Sequence, residues 1–302
     1  MSFTLDVPSC VSIVEVGARD GLQNEKTPLS VTDRVSLIDA LSSTGLRRIE
    51  AGSFVSPKWV PQMANSDAVI STIARKEGVI YSALTPNMRG FDDALAAGVN
   101  EVAVFGAASE SFSQKNINCS IEQSIERFTP VIEAAKAAGL PVRGYVSCVL
   151  GCPYEGKIDP QAVLDVSKTL LALGCYEVSL GDTIGVGTPK GTSQLLSLML
   201  SQIPAKQLAL HMHDTFGQGL ANVLIALQHG IATFDGSVAG LGGCPYAKGA
   251  SGNLATEDLV YMLQNMDIET GVDLQKLIKV GHNISIKLDR QNGAKSGKAL
   301  LG

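Results

Sequence analysis

Short runs rich in β-branched and other apolar residues alternate with longer stretches of helical periodicity along the whole chain. A parallel sheet demands this pattern, because parallel strands can be joined only by a connection long enough to return over the sheet, usually a helix. Eight such runs are present: Ser12–Val16, Arg48–Gly52, Ile80–Ala83, Glu101–Phe105, Val142–Cys148, Glu177–Leu180, Leu208–His213 and Thr233–Val238. Several of the segments between them open on side chains able to accept from unpaired helix amides. These are Ser30 ahead of Val31–Ser42, Ser66 ahead of Asp67–Lys76, Ser120 ahead of Ile121–Ala138, and Asp159-Pro160 and Thr188-Pro189 ahead of two more. Gly45, Gly98, Gly139, Gly174 and Gly230 stand where helices should stop. No linker or low-complexity stretch divides the 302 residues. The expectation is therefore a single domain over 1–302, a (β/α)8 TIM barrel in the α/β class, with a doubly wound open sheet as the alternative. Further helices are expected over about 256–290, at Thr256–Met266 and Leu274–Leu288, followed by a mobile tail over 291–302.

Composition narrows the partners. Apolar residues at 45% and charged residues at 18% exclude a disordered chain. A formal charge of −5 offers no general attraction to nucleic acid or an anionic membrane, and no apolar run approaches the ~20 residues of a membrane span. Six cysteines in a chain this long do not make a disulfide scaffold, and the N-terminus carries neither an export signal nor a transit pattern, so a cytoplasmic location is expected.

In a barrel the chemistry gathers at the carboxyl ends of the strands, and unusual polar residues fall there. His211 and His213, at i and i+2 on the seventh strand, point the same way and can present two imidazoles to a divalent cation. A hydrogen-bonded structural pair is the plain alternative. Arg19-Asp20 after the first strand combines a carboxylate for the metal with a guanidinium for a developing oxyanion; the same two side chains could simply close the rim as an ion pair. Glu50 and Asp182, on or at the ends of inward strands, can accept from a metal-bound imidazole or from Arg19, with a buried network of no catalytic role as the plain alternative. Cys244 lies in a loop too glycine-rich for a packed core position, where a thiol can donate or accept a proton. The other cysteines read as small apolar residues, and the lone Trp59 as a cover for the barrel top. Gly151–Lys157 has Walker spacing but is followed by Ile158 instead of Ser or Thr, so no nucleotide site is assigned.

Six strings carry a resemblance: Val16-Gly-Ala-Arg-Asp-Gly-Leu-Gln-Asn-Glu-Lys26, Ser53-Phe-Val-Ser-Pro-Lys-Trp-Val-Pro-Gln62, Leu180-Gly-Asp-Thr-Ile-Gly-Val-Gly187, His211-Met-His-Asp-Thr215, and Gly240-Leu-Gly-Gly-Cys-Pro-Tyr246 with Gly252-Asn-Leu-Ala-Thr-Glu-Asp258. Together they closely resemble the 3-hydroxy-3-methylglutaryl-CoA lyases. The Arg-Asp-Gly and His-x-His elements are shared with a wider HMGL-like barrel family that includes isopropylmalate and homocitrate synthases. The cysteine loop and the Ser-Phe-Val-Ser-Pro-Lys-Trp string discriminate.

The resemblance implies a lyase that cleaves a coenzyme A thioester to acetyl-CoA and acetoacetate, as in leucine degradation and ketone-body formation. It implies Mg²⁺ or Mn²⁺ held by Asp20, His211, His213 and Asn253, catalytic roles for Arg19 and Cys244, support from Glu50 and Asp182, and Lys26 near the coenzyme A phosphates. Glu257 lies in a matching string. Ala18 and Met212 depart from the family's usual residues without touching a ligand. Retro-Claisen cleavage must remove the proton of a tertiary alcohol with a pKa of ~16, far above neutrality, and a metal lowers that barrier. The base is Asp20 or a histidine of the site. A condensing synthase of the same family and a non-catalytic metal-binding scaffold are the rival readings. The apolar C-terminal helices suggest a homodimer.

Overall fold

The computed structural model describes residues 6–243 and 252–301. Eight strands, β1 (Ser12–Glu15), β2 (Arg48–Ser53), β3 (Ile80–Leu84), β4 (Glu101–Ala107), β5 (Val142–Ser147), β6 (Glu177–Asp182), β7 (Leu208–Met212) and β8 (Thr233–Gly236), pair in sequence order. All pairs are parallel, and β8 closes on β1 to complete the barrel. Every strand begins where the sequence places it, and the ends differ by one to two residues. The open doubly wound sheet is excluded by that closure.

Helices α1 (Val31–Ser42), α2 (Ser66–Thr72), α3 (Met88–Ala97), α4 (Glu110–Ile117), α5 (Ile121–Ala137), α6 (Pro160–Leu173), α7 (Pro189–Leu200) and α8 (Gly219–Gln228) form the crossovers. The expected starts act as caps. Ser30 accepts from the Asp33 amide at 3.1 Å while Asp33 accepts from the Ser30 amide at 3.3 Å, and Ser120 and Gln123 repeat the arrangement at α5. Pro160 and Pro189 occupy first turns, where the missing N–H costs nothing.

Ser66 departs from expectation. It is the first residue of α2 rather than its cap, and its hydroxyl is buried, donating to the Met63 carbonyl and accepting from Arg34 and the Ser53 amide. α2 ends at Thr72, four residues short of the expected Lys76.

Beyond the barrel lie α9 (Thr256–Gln264), α10 (Leu274–Lys287) and α11 (Lys295–Ala299). The last falls inside the stretch read as a loose tail. Both carboxylate oxygens of Asp258 accept from its first amides, Lys295 at 3.0 Å and Ser296 at 2.6 Å, which ties the segment to α9. Among the described residues no helix is long and apolar enough to cross a membrane.

The lower half of the barrel interior is charged. Arg143 on β5 is one of the largest side chains under 2% exposed among the described residues, and it bonds Glu177 of β6 at 2.8 Å and Asp235 of β8 at 2.7 Å. Arg48 of β2 reaches the same Glu177 oxygen at 3.1 Å. Buried charges persist only when paired on several sides, and here four strands supply the pairing.

Candidate active site

The first strand runs into a tight π-helical turn, Gly17–Gly21, which lifts Arg19 and Asp20 over the barrel mouth. The turn is anchored from below. Glu15 is fully buried and accepts from the Gly17 amide at 2.8 Å, the Val238 amide at 2.9 Å and the Thr256 hydroxyl at 2.6 Å, joining β1 to the segment after β8. Burial outweighs these bonds and pushes its carboxyl up to about 7.

Asp20 meets the two histidines of β7 at this level. Its Oδ2 is 3.8 Å from His211 Nε2, and His211 Nε2 is 3.4 Å from His213 Nε2. One ligand atom from each of the three lies within 4.8 Å of the others. Asn253 joins them because the chain returning from the glycine-rich loop pairs with the end of β7: Leu254 donates to the Met212 carbonyl at 2.9 Å and Asp214 to the Gly252 carbonyl at 3.1 Å. The Asn253 amide nitrogen then donates to Asp20 Oδ2 at 2.9 Å and to the Leu241 carbonyl at 3.1 Å.

These residues suit a divalent cation. Two imidazole nitrogens face each other, a carboxylate adjoins them, and Asn253 Oδ1 is buried with no hydrogen-bond partner. Burial, reinforced by His211, pushes the His213 imidazole down to about 4, so it is neutral and ligand-ready at pH 7. Burial would raise the Asp20 carboxyl, but Arg19 and the histidines outweigh it and hold it at about 2.

Arg19 is gripped on two sides. Its Nε bonds Glu50 Oε2 and its NH1 bonds Asp20 Oδ1, both at 2.7 Å. Glu50 Oε1 is buried and unpartnered at the same place. The expected link between Glu50 and Arg19 is thus present.

Asp182 is placed differently from expectation. Its carboxylate accepts from the Val186 and Gly187 amides at 3.2 and 2.8 Å and orders the β6–α7 loop. Burial pushes it up to about 6. The acceptor on His211 is Asp235, whose Oδ2 lies 3.1 Å from Nδ1.

Sequence reasoning missed Asp235, and with it Arg143 and Tyr145, whose ring stands edge-on to His211. The available signal was a charged residue within otherwise apolar strands, Thr233-Phe-Asp-Gly236 and Val142-Arg-Gly-Tyr145. Lys26 is exposed after the β1 turn. Trp59 stands 86% exposed and does not pack over the barrel top as expected. Cys244 lies outside the described residues.

Fold and site together define a (β/α)8-barrel protein with a carboxylate–imidazole–amide cluster at the carboxyl ends of its strands. The chain belongs to the HMGL-like family, whose model matches residues 10–284. It is 58% identical over 297 residues to the 3-hydroxy-3-isohexenylglutaryl-CoA/hydroxymethylglutaryl-CoA lyase of Pseudomonas aeruginosa, covering 98% of this chain and 99% of that one. It is 59% identical to the mitochondrial hydroxymethylglutaryl-CoA lyase of Rattus norvegicus over 97% of this chain and 90% of the relative. The crystal structure of a Pseudomonas aeruginosa hydroxymethylglutaryl-CoA lyase superposes with a TM-score of 0.96 at 58% identity, over 98% of this chain and 99% of that one. An Acinetobacter baumannii HMG-CoA lyase in complex with coenzyme A and 3-methylmalate superposes at 0.92, with 38% identity over 99% and 97% of the two chains.

Proposed function

We propose that the chain cleaves 3-hydroxy-3-methylglutaryl-CoA to acetyl-CoA and acetoacetate by metal-assisted retro-Claisen chemistry. One observation carries this reading: Asp20, His211, His213 and Asn253 converge at the barrel mouth, with Arg19 bonded to the first of them. The names of the relatives and the coenzyme A bound to the Acinetobacter baumannii protein support the substrate class.

A divalent cation, Mg²⁺ or Mn²⁺, held by those four side chains would lower the pKa of a tertiary alcohol and offset the charge of its alkoxide. The chain's own groups do the rest. The C3 hydroxyl proton passes to Asp20 or to an imidazole of the cluster. The C3–O bond becomes a carbonyl as C2–C3 breaks, and the electron pair moves onto C2 and the thioester oxygen. Arg19, fixed by Glu50, offers that oxygen a positive charge that needs no rearrangement. The Cys244 thiol returns a proton to C2 and completes acetyl-CoA. Lys26, exposed on the connection that follows β1, serves the coenzyme A phosphates in this reading. Asp182 acts by ordering the β6–α7 loop at the same face.

The deciding assay incubates chelated protein with 3-hydroxy-3-methylglutaryl-CoA and follows acetoacetate before and after addition of Mg²⁺ or Mn²⁺. Release only with metal is expected, and no release in any condition removes the reading. The isohexenyl thioester is run in parallel, because the name of the Pseudomonas aeruginosa relative covers both. Thiol release from acetyl-CoA and a 2-oxo acid would favour a condensing synthase instead.

The reading takes 1–302 as one catalytic unit in the cytoplasm. A homodimer through the C-terminal helices, where Ile286 is 65% exposed, is tested by light scattering.

A further inference from the structure

The two nitrogens of His211 face different environments. Nε2 points into the cluster, toward His213 and Asp20, whereas Nδ1 points to Asp235 on the neighbouring strand. Strand register creates the second contact, because His211 of β7 and Asp235 of β8 are direct partners in the parallel ladder. Asp235 is 2% exposed, and donors surround its carboxylate. Arg143 NH2 donates to Oδ1 at 2.7 Å, Arg143 NH1 to Oδ2 at 3.2 Å, and the Ser179 hydroxyl to Oδ2 at 2.8 Å. Arg143 is itself held by Glu177, through Nε at 2.8 Å. A carboxylate so placed can only accept, which makes His211 Nδ1 the donor.

We propose that Asp235, clamped by Arg143, is a positioning residue that holds His211 in its Nδ1–H tautomer and turns the Nε2 lone pair toward the cation site formed with Asp20 and His213. The inference rests on the reading of that cluster as a cation site. Without the acceptor the ring is free to carry its proton on Nε2, where an N–H would face the cation. Loss of such an outer partner typically weakens metal binding about 10–100-fold. The relay also explains the depth of the ion network. Arg143 and Glu177 are buried and bonded to each other, and Arg143 to Asp235, and through Asp235 they determine how a ligand-bearing ring is presented.

The test uses the full chain, freed of metal, with its histidines labelled with ¹⁵N. The His211 signal is assigned by its loss in His211→Gln and followed to alkaline pH until the ring is neutral. A protonated Nδ1 with a bare Nε2 is expected. Protonation on Nε2, or a mixture of the two forms, overturns the proposal whatever the metal results. In Asp235→Asn the amide has one accepting end; if it serves Arg143, the NH2 end meets Nδ1 and favours the opposite tautomer. Mn²⁺ affinity, read from the free-ion electron paramagnetic resonance signal, should then fall about 10–100-fold in a variant that keeps its circular dichroism spectrum. Unchanged affinity in the folded variant also overturns the proposal. If Asp235→Asn does not fold, the wild-type tautomer decides. If the wild-type chain takes up no Mn²⁺, the cation reading fails, while the ¹⁵N spectrum still decides whether Asp235 sets the ring.

Discussion

Arg19 Nε lies 2.7 Å from Glu50 Oε2, and both side chains are withdrawn from solvent at the barrel mouth. The pair joins the turn after β1 to the middle of β2 and sets the direction in which the guanidinium faces. A second carboxylate, Asp20, takes NH1, so two of the three guanidinium nitrogens are held in place before any substrate arrives.

Removing Glu50 should therefore cost both stability and turnover. Glu50→Ala leaves a buried guanidinium short of one partner, and a loss of about 3–5 kcal/mol is expected in urea unfolding. Arg19→Met should lower kcat about 10²–10³-fold with a smaller change in KM, as befits a charge aimed at the transition state. Equal loss in KM alone would mean that Arg19 only binds substrate.

Cys244→Ser keeps the shape of the side chain and makes it a far weaker acid. Lyase turnover should fall about 10²–10⁴-fold while Mn²⁺ binding is retained. Near-normal acetoacetate release would remove the thiol from the proton-return step.

Gly252 precedes Asn253 and has φ +93°, and a Cβ there would lie 2.2 Å from the Gly242 carbonyl oxygen. Gly252→Ala must displace the backbone that carries Asn253. An unfolding free energy lower by about 1–3 kcal/mol and weaker Mn²⁺ binding are expected together. A variant that loses stability but binds Mn²⁺ normally would show that Asn253 is not a ligand.

Glu257 is fully buried and accepts from the Ala239 amide with both oxygens at 2.9 Å. Burial first, with help from Glu15 and Asp258, pushes its carboxyl from 4.5 up to about 8, and the Ala239 amide opposes the shift. The folded chain thus keeps a proton that the unfolded chain releases. Stability should fall as pH rises from about 5 to about 8 and level off above, by about 1.4 kcal/mol per pH unit for one such group. Glu15 adds to the same trend up to about 7. Melting curves at several pH values check the sign, and Glu257→Gln should flatten the profile; an identical slope in that variant would assign the effect elsewhere.

The strands and most helix starts were legible because they depend on neighbours along the chain: β-branched runs, Ser30 with Asp33, Pro160 and Pro189 in first turns. Asp20, His211 and His213 were legible for a related reason. Strand alternation puts both imidazoles on one face, and barrel logic places Asp20 at the same end. Ser66 misled because its hydroxyl found partners in Arg34 and Ser53, remote in sequence, instead of capping the helix. Asp182 was expected as an acceptor for an imidazole or for Arg19, yet its carboxylate is taken up by the amides of its own loop.

The amino-acid order alone determined the βα alternation, the number of strands, and the set of polar side chains delivered to one end of the barrel. Only the pairing of the strands and the closure of β8 on β1 decided which of those side chains meet. The β7–β8 register set Asp235 beside His211, and closure drew Arg143 beneath both and carried Asn253 back to Asp20. Periodicity records which face a residue occupies. Pairing across strands depends on register and on the burial of charge, which exist only once the whole sheet has closed and water has left its interior.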